Sequence, residues 1–222
     1  MIYKTFLKSP KRLIVFISHS NCEPYIRVRR NHTIEHSSKL ERAFNNQIKS
    51  EHEASLVYLK LAINFLHPCV SRKGFGGYFI SLHKEELLHM HTLIQYQLVR
   101  GFHPLIEDVK SPKIQGNISV CQAFDLAIQL ESDVTAVNRM SNLFLFQSLK
   151  GLIQLADSEG DRHCADFITS TFLQEQIQST NELWHHLTNL KRMNDNEHAL
   201  YHYDKQLSKK FAYDIKGMNL RN

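Results

Sequence analysis

Four stretches of the chain place a group able to hold a metal or a proton inside an otherwise apolar stripe. In the first, Phe44, Ile48, Glu51, Ser55, Tyr58, Ala62 and Phe65 follow one another at alternating spacings of four and three, the period of one helix face. The second runs Phe79, Leu82, Glu86, His89, Leu93 and Tyr96; the third Phe124, Ala127, Glu131 and Val134; the fourth Leu173, Gln176, Thr180, Leu183, Leu187 and Leu190. Each helix thus carries a polar interruption into its core-facing seam: Glu51, Glu86 with His89, Glu131, and Gln176. Burying a carboxylate without a partner is costly. Three of them converging with one imidazole form a strongly anionic cluster, which a multivalent cation would neutralise. Oxygen-rich ligation with a single nitrogen favours iron or manganese over structural zinc, which prefers closed sulfur and nitrogen sites. Tyr58, two helical turns beyond Glu51 on the same stripe, could hydrogen-bond a ligand carboxylate or supply an electron.

Taken singly, these signals are weak. Glu86 and His89 are three apart and project side by side from one helix face, but Glu182 and His185 repeat the same spacing. Since Leu183 and Leu187 point inward, Glu182 and His185 fall outside the seam. Of the 14 histidines, only His89 shares a seam with other candidate ligands, and a buried tyrosine alone is more often packing than chemistry. The joint pattern across four helices is what accident rarely supplies.

The elements that must position these residues have legible ends. The first helix stops before Pro68, because the residue preceding a proline is pushed out of helical geometry. The second spans about 76–100 and stops at Gly101. Residues 101–118, with Pro104, Pro112 and Gly116, form a connection too long for a tight hairpin, so the helices on either side of it can lie parallel. Ser119 and Gln122 make a capping box for the third helix. The fourth starts after Gly160 and Asp161, and residues 198–210 suggest a short fifth. Four long helices with one long crossover and a Glu-x-x-His pair facing inward make an all-α bundle of the di-iron carboxylate kind.

Composition agrees. With 222 residues, 42% hydrophobic and 22% charged, the chain can bury a substantial core. It has 8 Gly and 5 Pro, the last being Pro112, too little turn chemistry for a β-sandwich or barrel. Cys22, Cys69, Cys121 and Cys164 form no short-spaced pair, which speaks against a zinc knuckle and for reduced, mostly buried thiols. The net charge of +5 resides in a basic arm carrying Lys4, Lys8, Lys11, Arg12, Arg27, Arg29 and Arg30. The rest is near neutral, so the basicity belongs to an extension and does not indicate nucleic-acid binding. No apolar run reaches the roughly 18 residues of a membrane span. Three readings of residues 1–35 stand open: a disordered extension, an organelle import leader, or a secretory signal, although Leu13–Ile17 is short for the last. The expected domains are this extension, a bundle over 36–210, and a tail over 211–222.

At this point the residues resemble those of ferritins. Gln47-Ile48 with Glu51, then Ala54-Ser55 and Val57-Tyr58-Leu59, is similar to the first ferritin helix; Tyr78-Phe79 through Glu85-Glu86 and His89 resembles the second. Cys164 through Ile168, Glu175-Gln176 and Leu187 through Leu190 resemble the fourth. The resemblance covers about 38–207. It implies a heavy-chain-type ferroxidase centre in which Glu51 and His89 bind the first iron, Glu86 bridges two irons, and Glu131 holds the second. Gln176 would hydrogen-bond bound oxygen or water, and Tyr58 would support Glu131. It further implies oxidation of two Fe(II) by dioxygen and deposition of ferric oxide in a twenty-four-subunit shell, formed by this chain alone or with other ferritin subunits, in the cytoplasm unless residues 1–35 act as a mitochondrial or secretory leader.

The chain also departs from the ferritin pattern. Among the positions that add acids for mineral nucleation, Glu85 is retained but Ser81, Lys84 and Leu88 are not acidic. At the iron-entry channel Asp166 matches one acid, while Thr169 replaces the second. Tyr201, His202 and Tyr203 replace a more apolar face of the last helix. Between Glu131 and Gln176 the chain is eleven residues longer, in the region of Asn142–Gln154. Eleven residues are about three whole turns, so they either extend the third helix by roughly 16 Å without rotating its faces or bulge as a loop. Two other readings follow: a divergent structural subunit that co-assembles with other ferritin chains, or a different di-iron oxygenase. The latter would carry a second Glu-x-x-His in the core, where this chain has Gln176.

Overall fold

The computed structural model describes residues 37–114, 118–131, 145–194, 196–211 and 213, and among these every regular element is helical. In chain order they are α1 (Ser38–Leu66), α2 (Lys73–Arg100), α3 (Val120–Glu131), α4 (Leu145–Ser158), α5 (Arg162–Ile168), a π-helical turn (Thr169–Leu173), α6 (Gln174–Met193) and α7 (Glu197–Lys210). Ser37 caps α1, which ends before Pro68 as expected. Gly101, at φ 76°, ends α2 in the left-handed conformation, and the Phe102 N–H returns to the Gln97 carbonyl. At α3 the Ser119 hydroxyl accepts from the Gln122 N–H while the Gln122 side chain accepts from the Ser119 N–H. The second helix begins at Lys73, three residues earlier than the apolar period suggests, for a reason that lies in α7.

Cross-helix pairs give the directions. Asn45 bonds Gln97, the Ser55 carbonyl meets His83, and Phe65 packs on Phe75, so α1 and α2 are antiparallel. Asp125 pairs with Lys191 and Glu131 with Gln176, so α3 and α6 are antiparallel too. Phe79 meets Phe124, and Glu86 meets Glu131. Hence α2 and α3, on either side of the long connection, run parallel.

Two apolar clusters fill the bundle. One gathers Tyr58, Leu61, Phe65, Phe75, Phe79, Leu82, Phe124, Leu183 and Leu187; the other gathers Leu40, Phe44, Ile48, Met90, Leu93, Leu149, Leu152, Ile168 and Phe172. Along α1 the boundary between them falls at Glu51, along α2 at Glu86 and His89, and on the fourth long helix at Gln176. The polar layer is sandwiched between two apolar halves.

The π turn corrects one expectation. Phe172, not Leu173, is the buried seam residue ahead of Gln176. From Cys164 buried positions run 164, 168, 172 and 176, and three steps of four would carry a seam roughly 120° around an α-helix. The wider π turn winds it back. Within Asn142–Gln154, Leu149 and Leu152 are buried core residues on α4, packed with Leu40 and Phe44 of α1. Residues 132–144, with Val134, lie outside the described residues. The thiols are less buried than expected, with Cys164 buried, Cys121 half-buried and Cys69 exposed. The extension at 1–35, with Cys22, and most of the tail also lie outside the described residues. No described helix is long and apolar enough to cross a membrane.

α7 is fastened to the start of α2. That end of α2 has no capping side chain of its own; instead the Asp204 carboxylate of α7 accepts from the Phe75 N–H at 2.9 Å, placing a negative group at the positive end of the helix. Gly74 permits the contact, since a Cβ there would lie 1.9 Å from the Asp204 carbonyl oxygen. The cap explains why α2 starts early: its first turn is stabilised from outside.

Candidate metal centre

Glu51 comes from the middle of α1, Glu86 and His89 from α2, Glu131 from the last position of α3, and Gln176 from the first turn of α6. All five are buried, with relative exposures of 2%, 3%, 6%, 2% and 4%. Ligand-capable atoms of Glu51, Glu86 and His89 lie within 4.8 Å of one another. Glu131 accepts from the Tyr58 hydroxyl on one oxygen and from the Gln176 amide on the other. Tyr58 is itself fully buried and stacks on Phe79. The π turn helps here as well, because Phe172 meets the His89 ring edge-on at 5.4 Å and Gln176 follows one turn later.

Burial, followed by the neighbouring Glu86, pushes the Glu51 carboxyl well above the usual range. Glu86 is likewise raised by burial and then by Glu131. Glu131 is pushed up to about 7 by burial, against the pull of the Tyr58 hydrogen bond. Burial and then Glu131 raise the Tyr58 hydroxyl, which therefore serves as a donor. Without a cation these acids hold protons in preference to bearing three negative charges. A divalent metal meets the same need and displaces the protons. The donor set, carboxylates with one imidazole, suits iron or manganese, and the fit is sound in burial, convergence and ligand type.

Glu85 stands at the rim, half-buried and accepting from the Ser179 hydroxyl at 3.1 Å. With His89 and Glu175 it forms a second group of ligand-capable atoms within 4.8 Å. Asp166 is exposed on α5 and joins neither group. Glu182 and His185 are exposed, as the seam requires.

Two contributors escape a seam count. Glu175 contacts His89 Nε2 at 3.2 Å while His89 Nδ1 lies 3.1 Å from Glu86. Glu175 is nearly half exposed, so it interrupts no apolar stripe; its adjacency to Gln176 is the available clue. Gln47, fully buried on α1, donates to Glu51 at 2.6 Å, and its own Oε1 is buried without a hydrogen-bond partner among the described residues. Being one turn before Glu51 is its signal.

An antiparallel α1–α2 pair joined by a long crossover to an antiparallel α3–α6 pair, with a carboxylate-rich layer through its middle, is a specific design. The Ferritin-like domain family model matches residues 41–193, a span that takes in every residue of this layer from Gln47 to Ser179, and on that match over most of its length the chain belongs to the ferritin family.

Proposed function

We propose that this chain is an iron-storage and detoxification subunit that oxidises Fe(II) with dioxygen at the buried layer and contributes to a multi-subunit shell in which ferric oxide is deposited. Iron is here the substrate. Glu51 and His89 take one Fe(II), Glu131 a second, and Glu86 lies between them; two one-electron losses together reduce dioxygen by two electrons. The polypeptide contributes distance, orientation and open positions. Gln176 supplies a neutral amide beside Glu131, where a further carboxylate would fill a position that dioxygen needs. Tyr58 keeps its proton and holds Glu131 in place. The convergence of Glu51, Glu86 and His89 in a dry interior is the observation that carries this reading.

Stopped-flow oxidation of Fe(II) tests it. Glu86→Ala and His89→Ala should each slow the initial rate at least tenfold while far-UV circular dichroism stays unchanged; native rates in both variants would refute the assignment. The eleven residues by which the chain exceeds the ferritin pattern between Glu131 and Gln176 favour a second reading, a subunit that assembles only beside other ferritin chains. Sedimentation velocity of the purified chain separates the two. A shell-sized particle supports self-assembly, and a species near the 25.9 kDa chain mass supports co-assembly.

A further inference from the structure

α7 carries a metal-competent pair that the buried layer does not use. His198 and His202 are four residues apart and stand one turn above each other. Both are exposed, whereas Leu200, Asp204 and Leu207 on the opposite face are buried. Their ring centroids are 4.5 Å apart at an interplanar angle of 77°. Among the described residues neither ring has a hydrogen bond or ion pair, so their nitrogens are open to an incoming ligand.

The scaffold beneath them is fixed. The Asn196 side chain caps α7 by accepting from the Ala199 N–H, Glu197 pairs with Arg72, and Asp204 ties the helix to α2 at Phe75. The cost of bringing two donors together is thereby largely met before a cation arrives. The pair is also separate from the buried layer: α7 meets α2 at Gly74, and Phe211, just past α7, meets it at Gly77, and Glu86 is a further nine residues, roughly 14 Å, along that helix.

We propose that His198 and His202 form a two-imidazole site for a late first-row divalent cation, Cu²⁺ foremost, with water completing its coordination. Imidazole donors without carboxylate select along the order in which Cu²⁺ binds most tightly and Fe²⁺ far more weakly. The chain then carries two unlike metal sites, one buried in the bundle for iron and one on the exposed side of α7 for copper or zinc.

Calorimetric titration of the full chain with Cu²⁺ tests the assignment, with electron paramagnetic resonance to report nitrogen coupling. Beside any Cu²⁺ taken by the buried Glu51, Glu86 and His89 group, one further site per chain with coupling to imidazole nitrogen is expected. His198→Ala and His202→Ala should each weaken it at least tenfold, because a chelate needs both rings. Glu86→Ala should leave it intact, and Fe(II) oxidation by either histidine variant should be unchanged, so the result is independent of the iron reading. Equal Cu²⁺ stoichiometry in the native chain and the double histidine variant, or loss of the α7 site in Glu86→Ala alone, would overturn the proposal.

Discussion

His89 is the residue on which the centre turns, because its two nitrogens face different partners. Nε2 lies against Glu175 and Nδ1 against Glu86. A proton on Nε2, directed at the Glu175 carboxylate, would leave the Nδ1 lone pair for a cation shared with Glu86. Glu175 is a positioning residue here, acting through the imidazole. Removing an outer partner of a ligating histidine commonly costs about 10–100-fold in metal affinity. For Glu175→Ala the expected change is about tenfold weaker Co(II) binding, read from the visible band of the bound ion. Glu182→Ala, exposed on the same helix, should bind Co(II) as the native chain does, which separates a positioning effect from a general loss of surface charge.

At the scale of elements, the docking of α7 is the feature most open to a single substitution. A Cβ on residue 74 would collide with the Asp204 backbone, and backbone cannot swing aside as a side-chain tip can. Gly74→Ala should therefore lift α7 off α2 and cost about 1–3 kcal/mol, the range for overpacking, or roughly 5 °C in melting temperature for a chain of this size. Hydrogen exchange should accelerate in α7 and the first turn of α2 while the middle of α1 keeps its protection; uniform acceleration would show that α7 is no separate unit. The same helices show what can be read from sequence. The stripes of α1 and α2 are buried at every expected position, including Glu51, Glu86 and His89, because each is an uninterrupted α-helix whose period is local information. The fourth long helix defeats the count at Leu173, since its π turn sets Phe172 in the seam against the His89 ring of α2, a contact that the local period does not announce. The early start of α2 is illegible for a similar reason: its cap, Asp204, lies far along the chain. Glu175 and Gln47 escape because one interrupts no stripe and the other, though in register, binds no partner that sequence alone can show.

For the whole molecule, the polar layer between two apolar halves makes folding stability depend on what neutralises it. The folded-state pKa values of Glu51, Glu86 and Glu131 lie above the ordinary carboxylate value, Glu131 at about 7. Groups raised in this way contribute stability that is fully present below the unfolded value of about 4.3 and is lost as pH rises through the folded values. The metal-free chain should accordingly melt lower at pH 8 than at pH 5.5 on account of these three acids. His186, whose pKa burial lowers, pulls the opposite way, so the informative quantity is the difference from a chain carrying Glu51→Gln, Glu86→Gln and Glu131→Gln at each pH. That difference should move in favour of the amide variant as pH rises. Adding Co(II) should reverse it, because a cation that binds only the folded state at 100 times its dissociation constant contributes about 2.7 kcal/mol, or roughly 5–10 °C here. The amide variant should gain almost nothing from the metal. If both chains melt in parallel from pH 5.5 to 8 and respond alike to Co(II), the three carboxylates are not the electrostatic centre of this bundle.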